Sequence, residues 1–410
     1  AIEVLCALSA GLLSGVAGRH SRLFGGVYLE SPSVWVAFRG APQPARARGV
    51  SELTRTMSPT GGNAGSSRPL GRLRTLTGHI NAGARAATRG ASNIATDAAL
   101  LEVWSFNLRT EFMEETDGAD GWSRRRQGVA DLLAARRPAL VCVQEATESM
   151  LSFLSKSLGE EYGWVATSRT PGQSDESAGF LFDRRRLALE DYTATWLAPP
   201  STQPGTPAWD AGCPRTFETA VFRFLDNVDV GHLRVINTHL DHIGVQARQF
   251  SAGLLVEAIL EGVATKPECA QLICGDFNSP KGGGNKVYEL LTSTQASIGA
   301  GLRDVAREAK ELSLGPSTIH KFKGEDFEGQ VGDGTVDLSS SVGDENSKAA
   351  DDARHIDWML WRDGEGLRLL PKRCELVTDR LATGRYPSDH FPVSATFVLR
   401  GASTLASDNR

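Results

Sequence analysis

Among its six cysteines the chain has no C-x-x-C pair, it has no apolar run of the ~20 residues that a membrane-spanning helix needs, and it has no surplus of positive charge. Each absence excludes something. Scattered thiols argue against a zinc site or a disulfide framework, and Cys142 and Cys274 fall inside apolar runs, where they read as reduced core residues. The stretch Val4 to Ala17 is too short to span a bilayer, and it lacks the charged segment that precedes a signal-peptide core. A net charge of −5 excludes a protein that grips nucleic acid by bulk electrostatics, because neutralising phosphates takes Lys and Arg. Acids are scarce at the start: residues 1–96 hold eleven Arg, three Glu and no Lys or Asp, a balance of +8 that leaves −13 for the remainder. From Arg39 to Thr96 the composition is largely Arg, Ser, Gly, Ala, Thr and Pro, which cannot bury enough apolar area to offset ordering. Residues 1–97 are therefore expected to be a disordered extension, with an organelle transit peptide or a secretory leader as the alternative readings; the location is left open, intracellular being favoured and organellar one option. Neither an internal repeat nor a basic amphipathic helix near the candidate site is visible, so no stable membrane association is expected.

What is present is an ordinary globular body. With 40% hydrophobic and 23% charged residues, 98–400 can build a sizeable core. Apolar runs and alternation predict strands at Leu100–Leu108, Ala139–Gln144, Gly163–Thr167, Ala178–Phe182, Leu187–Leu197, Thr216–Leu225, Leu233–Thr238, Ala270–Cys274, His355–Trp361, Leu367–Val377 and Val393–Leu399. Helices are expected at Trp122–Arg137, Ser149–Leu158, Ala247–Val263 and Val287–Leu291, the first closed by Pro138. Residues 325–353 are rich in Gly, Ser and Asp and predict a flexible acidic insertion, and 401–410 a tail.

Polar groups follow apolar runs abruptly at several points. The strand ending in Cys274 passes through Gly275 into Asp276 and Asn278; others end at Asn107, Glu145 and His239; and the loop Asp389-His390 precedes the last strand. Asp357 stands at the head of an apolar strand, where a buried carboxylate needs a partner. Each has an ordinary explanation alone, as a solvated cap, an Asx turn or a satisfied core histidine. Their joint occurrence does not, because ligands of open α/β folds collect at the carboxyl ends of strands.

The motifs SFN (Ser105 to Asn107), VQE (Val143 to Glu145), NTHLDH (Asn237 to His242), GDFNSP (Gly275 to Pro280), HIDW (His355 to Trp358) and SDHFP (Ser388 to Pro392) resemble, in order and approximate spacing, those of the endonuclease/exonuclease/phosphatase superfamily of metal-dependent phosphoesterases. The resemblance spans about Leu100 to Leu399. It implies an α/β, four-layer sandwich: two mixed β-sheets face to face with helices outside. It also implies a hydrolase that uses Mg²⁺ (or Mn²⁺) to direct water at phosphorus. Carried over residue by residue, Glu145 is the principal metal ligand with Asn107 beside it and Asp389 near the metal. Asp276 and Asn278 activate and orient water, His390 contacts the phosphate or moves a proton, Asp357 holds its imidazole, and His239 stabilises phosphoryl oxygens or protonates the leaving group. Arg215 is a candidate for a substrate phosphate, and equally a sheet-edge cation.

The expected partner is a phosphorylated substrate, nucleic acid included. Ala146-Thr147 stand where abasic-site endonucleases of the family usually carry a Lys soon after the metal Glu. Gly275 to Leu291 is similar to the deadenylase branch, whereas Asp117 to Arg124 and Trp209 to Arg215 look like a branch of uncharacterised phosphoesterases. An RNA or DNA exonuclease such as a deadenylase, and a non-catalytic protein that binds a phosphorylated ligand, are the alternative readings.

Overall fold

Alternation builds the sheets. In β1 (Leu100–Asn107) Leu101 and Val103 point one way, Trp104 and Phe106 the other, and all four are fully buried. A strand covered on both faces belongs to a sheet sandwiched between layers. The computed structural model describes residues 99–225, 231–282, 284–295, 299–327 and 354–401. Within them, one sheet orders seven strands as β10 (Glu311–Ser313), β12 (Leu367–Leu376), β13 (Val393–Gly401), β1, β2 (Leu140–Gln144), β4 (Phe180–Asp183) and β3 (Tyr162–Val165). The other orders six as β5 (Leu187–Trp196), β6 (Thr216–Phe224), β7 (His232–His239), β8 (Ala270–Asp276), β11 (Asp357–Arg362) and β9 (Arg303–Asp304). Both are mixed: β1–β2 and β7–β8 pair parallel, and most other neighbours antiparallel.

Three apolar clusters correspond to the three interfaces of a four-layer α/β sandwich. Between the sheets, Leu101, Leu140 and Phe397 meet Phe222, Val235, Leu272 and Trp361. Outside the first sheet, Trp104, Val141 and Leu181 pack on Val129 and Leu133 of α1 (Trp122–Arg136) and on Leu151 and Leu154 of α2 (Glu148–Leu158). Outside the second, Ile236, Ile273 and Leu360 pack on Leu255 and Ile259 of α3 (Val245–Thr265) and on Leu291 of α4 (Lys286–Thr292).

The expected strands and helices all form, with ends shifted by a residue or two, as frayed termini allow. Two strands were not expected. β9 has two residues, and β10 has three exposed ones, so neither carries an apolar pattern. The extension 1–97, residues 328–353 and those beyond 401 lie outside the described residues. The head of the expected flexible insertion departs from that reading: Gly324–Asp326 form a 3₁₀ turn, anchored by the buried ring of Phe327.

A pair of amides ties the sheets together just below one end. Gln144 Nε2 donates to Asn237 Oδ1 at 2.7 Å, and Asn237 Nδ2 donates to the Val143 and Gly179 carbonyls at 2.9 and 2.8 Å. These bonds cross the otherwise apolar interior and fix the separation of β2 and β7 where Glu145 and His239 emerge.

Candidate active site

Strand register aligns the site. On β8, Asp276 pairs with His239 of β7 on one side and with Asp357 of β11 on the other, so three functional side chains stand in one row. In the facing sheet Asn107 pairs with Gln144, which places Glu145 one residue past the same end. Asn107 closes the gap, donating from Nδ2 to Glu145 Oε1 and to Asp276 Oδ2, each at 3.0 Å. Gly275 permits the close approach of β8: its φ is +153°, and a Cβ there would lie 2.0 Å from the Thr238 carbonyl oxygen.

Three flanking residues adopt the left-handed region with φ > 0: Arg109 (54°), Glu145 (56°) and Asn278 (45°). Asn tolerates this; for Arg and Glu it costs about 1 kcal/mol or more, a strain that persists only where surroundings impose it. Glu145 is held by Asn107 and by the Thr110 N–H, 3.0 Å from Oε2. Burial opposes its charge, but those hydrogen bonds and Arg109 outweigh it and keep the carboxyl below its ordinary range. Arg109 grips Asp117 through two 3.0 Å bonds and stands 3.7 Å from Asp389 Oδ2.

The two histidines differ. His390 Nδ1 lies 2.9 Å from Asp357 Oδ2, leaving Nε2 toward Asp276 Oδ2 at 3.9 Å. Burial disfavours its charge, yet Asp357, Asp276 and Asp389 prevail and raise it to about 10, so it is an imidazolium at neutral pH. His239 goes the opposite way: burial, then Arg215 and Arg169, hold it well below its ordinary range, and it is neutral. Its Nε2 accepts from Asn278 Nδ2 at 3.0 Å, and that amide also donates to the Leu240 carbonyl. Asn278 thus fixes His239, while its backbone N–H binds Asp276 Oδ1 at 2.9 Å. Burial first, and then the Asp357 charge, push Asp276 up to about 7; burial likewise raises Asp389.

The structure therefore gathers Asn107, Glu145, His239, Asp276, Asn278, Asp357, Asp389 and His390. Arg215 stands to one side. It is buried, with Nη2 3.0 Å from His242 Nδ1 and Nε 3.6 Å from Asp241 Oδ2, and it lines a cleft beside His239. It is no sheet-edge cation. Asn107 turns its oxygen to the Arg109 N–H at 2.9 Å and presents nitrogen to Glu145, so in this arrangement it orients the carboxylates and does not offer them a ligand oxygen.

Two arginines escaped sequence reasoning. Arg109 follows a strand end with nothing to mark its direction. Arg125, on α1, is buried and donates to the carbonyls of Leu108, Arg109, Asp120 and Pro387, clasping the segments that carry Asn107 and His390. The visible signal would have been Arg on the helix face shared with Trp122 and Val129.

The site is rich in acids. The carboxyl groups of Glu145, Asp276, Asp357, Asp389 and Asp117 number five, against three cations in Arg109, Arg125 and protonated His390, and Asp276 and Asp389 respond with raised values. Ligand-type atoms of Asp276, Asp357 and His390 lie within 4.8 Å of one another, a grouping that could hold a metal ion, although His390 Nδ1 is engaged by Asp357 at 2.9 Å. A second trio, Cys213, Asp241 and His242, does not fit one: Asp241 accepts four backbone N–H groups and Arg215 stands against it.

A four-layer sandwich that converges acids, amides and two unlike imidazoles at one end of both sheets defines a hydrolase of phosphoester bonds. The chain belongs to the Endonuclease/Exonuclease/phosphatase family, whose model matches residues 104–390. Among solved structures it is similar to an endonuclease/exonuclease/phosphatase from Bacteroides vulgatus (23% identity, 74% of this chain, 100% of that one, TM-score 0.58). It is also similar to a mannosyl-6-phosphatase from Bacteroides thetaiotaomicron (23% identity, 73% and 99% covered, TM-score 0.58). A functionally unknown conserved protein from Enterococcus faecalis shares the fold as well (23% identity, 73% and 100% covered, TM-score 0.56). At these identities the likeness is one of fold. No curated protein matches the chain. No helix of the described residues is long and apolar enough to cross a membrane.

Proposed function

We propose that the protein hydrolyses a phosphoester by in-line attack of water, assisted by a divalent cation, Mg²⁺ or Mn²⁺. The observation that carries this reading is a buried cluster in which five carboxyl groups face three cations at the shared end of the sheets, where burial and neighbouring carboxylates hold Asp276 and Asp389 above their ordinary range. Glu145 and Asp389 are the residues that would hold the ion, which when bound supplies charge neutralisation at the phosphoryl oxygens. The remaining roles belong to the chain's own groups. Asp276 is a carboxylate poised near neutrality, suited to orient water and take its proton. Asn107 holds Asp276 and Glu145 in mutual register. His390 presents a protonated Nε2 to the phosphoryl group, with Asp357 fixing the ring and its charge. His239, neutral and engaged by Asn278, shapes the wall beside the leaving group, so the proton the leaving oxygen needs is assigned to His390.

The test is hydrolysis of 4-nitrophenyl phosphate and bis(4-nitrophenyl) phosphate in Mg²⁺ and in EDTA. Metal-dependent release of nitrophenol that Asp276→Asn and His390→Ala abolish supports the reading. Turnover indifferent to EDTA, or undiminished in both variants, would sink it.

A further inference from the structure

Residues 317–327 hold none of the groups assigned to the reaction, yet their backbone bonds both segments that carry the Asp357–His390 pair. Thr318 N–H donates to the Arg354 carbonyl at 3.2 Å, and Thr318 Oγ1 accepts from the N–H groups of Ile356 and Asp357, each at 3.1 Å. The Thr318 carbonyl in turn accepts from Phe391 N–H at 2.8 Å. The N–H groups of His320 and Lys321 both donate to the Asp389 carbonyl, at 2.7 and 3.0 Å, and Ile319 bridges His390 in antiparallel pairing. One buried threonine thus holds the head of β11 by its hydroxyl and the His390 loop by its carbonyl.

Further contacts fix this strap. The buried His320 ring lies 3.9 Å from that of Phe391 and 4.7 Å from that of Tyr386, centroid to centroid. Its Nδ1 accepts from Gly324 N–H at 3.2 Å, closing the turn. The Phe322 ring stands 5.8 Å from the Arg125 guanidinium, which joins the strap to the clasp on Asn107. To make the turn, Lys321 and Phe322 take left-handed φ values of 47° and 62°. For bulky side chains such a conformation is an outlier that persists only where the surroundings impose it. The hydroxyl is fully committed as an acceptor, since two N–H groups take its two lone pairs. Its single hydrogen is left for a small cavity lined by Thr318 and by Asp357, whose Oδ1 is buried without a hydrogen bond among the described residues.

We propose that Thr318 is a positioning residue of the reaction, setting Asp357 and His390 against each other so that Nδ1 meets Asp357 Oδ2 at 2.9 Å and Nε2 faces the phosphoryl group. The proposal rests on the phosphoester-hydrolase reading. Thr318 touches no reacting atom. Its loss therefore lowers the rate at which bound substrate reacts and leaves substrate binding alone.

The experiment compares Thr318→Val, Thr318→Ala and Thr318→Ser with the wild type in two readouts. One is kcat and KM for 4-nitrophenyl phosphate in Mg²⁺. The other is the downfield proton NMR resonance of His390 Nδ1–H, identified by its loss in His390→Ala. Val keeps the shape of Thr but leaves both N–H groups without an acceptor. Ala leaves room for water on them, and carries the test if the valine variant does not fold. In the folded variants kcat should fall about tenfold or more with KM within about twofold, and the resonance should shift or broaden. Ser keeps the oxygen, so it should return kcat to within about threefold of the wild type and the resonance to its original position. A lower melting temperature with kcat and resonance unchanged would reduce Thr318 to a structural residue and overturn the proposal, as would losses that Ser does not restore. If the wild type hydrolyses no ester while the resonance moves in Ala and returns in Ser, the strap stands and the phosphoesterase reading falls.

Discussion

Glu218 and Asp276 are both buried carboxyl groups on strands of the same sheet, and burial pushes both up to about 7. Their surroundings nonetheless differ in kind. Glu218 is surrounded by donors: Tyr192 OH at 2.6 Å, and the N–H groups of Thr167 and Ala178 at 3.2 Å. Tyr192 OH in turn meets Thr167 Oγ1 at 2.7 Å, and no charged neighbour figures among the causes of the Glu218 shift. That network is closed, and its use is structural. Asp276 instead faces a like charge in Asp357, within a cluster whose carboxyl groups outnumber its cations. Asp357 Oδ1 is buried and accepts no hydrogen bond from the described residues. Similar titration thus hides two situations: a closed network has nothing left to bind, whereas an open one invites a cation and a substrate.

The sharpest way to break this comparison is to neutralise one member of each. Asp276→Asn should lower kcat by about 10³-fold or more, and His390→Ala comparably, because each removes a group acting on the reacting atoms. Thermal melting should show both still folded. A loss of less than tenfold would place the chemistry elsewhere.

Glu218→Gln should change stability and leave turnover alone. The sign follows from the raised value. Between the ordinary carboxyl range near 4.5 and about 7 the folded protein keeps the proton and the unfolded chain releases it. This group's contribution is therefore fully present below 4.5, declines as pH rises to 7 and is flat above. At about 1.4 kcal/mol per unit, the wild type gives up on the order of 3 kcal/mol across that window, and the isosteric amide should not. Denaturant unfolding at pH 5 and pH 8 measures it; equal pH dependence in both proteins would contradict the closed-network description.

Arg125→Lys should cost about 2 kcal/mol, since an ammonium cannot reproduce the fork that reaches four carbonyls. Because two of those carbonyls flank Asn107 and the His390 loop, kcat should fall as well, and undiminished kcat in a destabilised variant would separate the clasp from the site. The smallest effect is expected at the rim. Asp210 caps the start of α3 from a neighbouring loop, accepting from Gln246 and Ala247 N–H at 3.1 and 2.7 Å. Asp210→Ala should cost about 1 kcal/mol of stability, read by denaturant unfolding, and should not alter the melting response to Mg²⁺.

The layered fold was legible because apolar runs mark strands buried on both faces: Leu140–Gln144 and Ala270–Asp276 announce themselves. The site was legible where a polar residue interrupts such a run, as at Asp276 or Asp357. Side-chain direction was not. Nothing in the order of residues shows that Asn107 turns nitrogen to Glu145, that Asn278 spends its amide on His239, or that one histidine is charged and the other neutral. Those outcomes depend on register across β7, β8 and β11 and on desolvation, both properties of the assembled sheets.

The central claim is that the open acidic cluster takes up a divalent cation through Glu145. Calorimetric titration of Mg²⁺ into the full chain and into Glu145→Gln tests it most directly. A saturable binding event in the wild type, lost or weakened at least about tenfold in the variant and accompanied by loss of Mg²⁺-dependent hydrolysis, is the predicted result. Absence of binding by the wild type, or identical binding by the variant, would contradict the account.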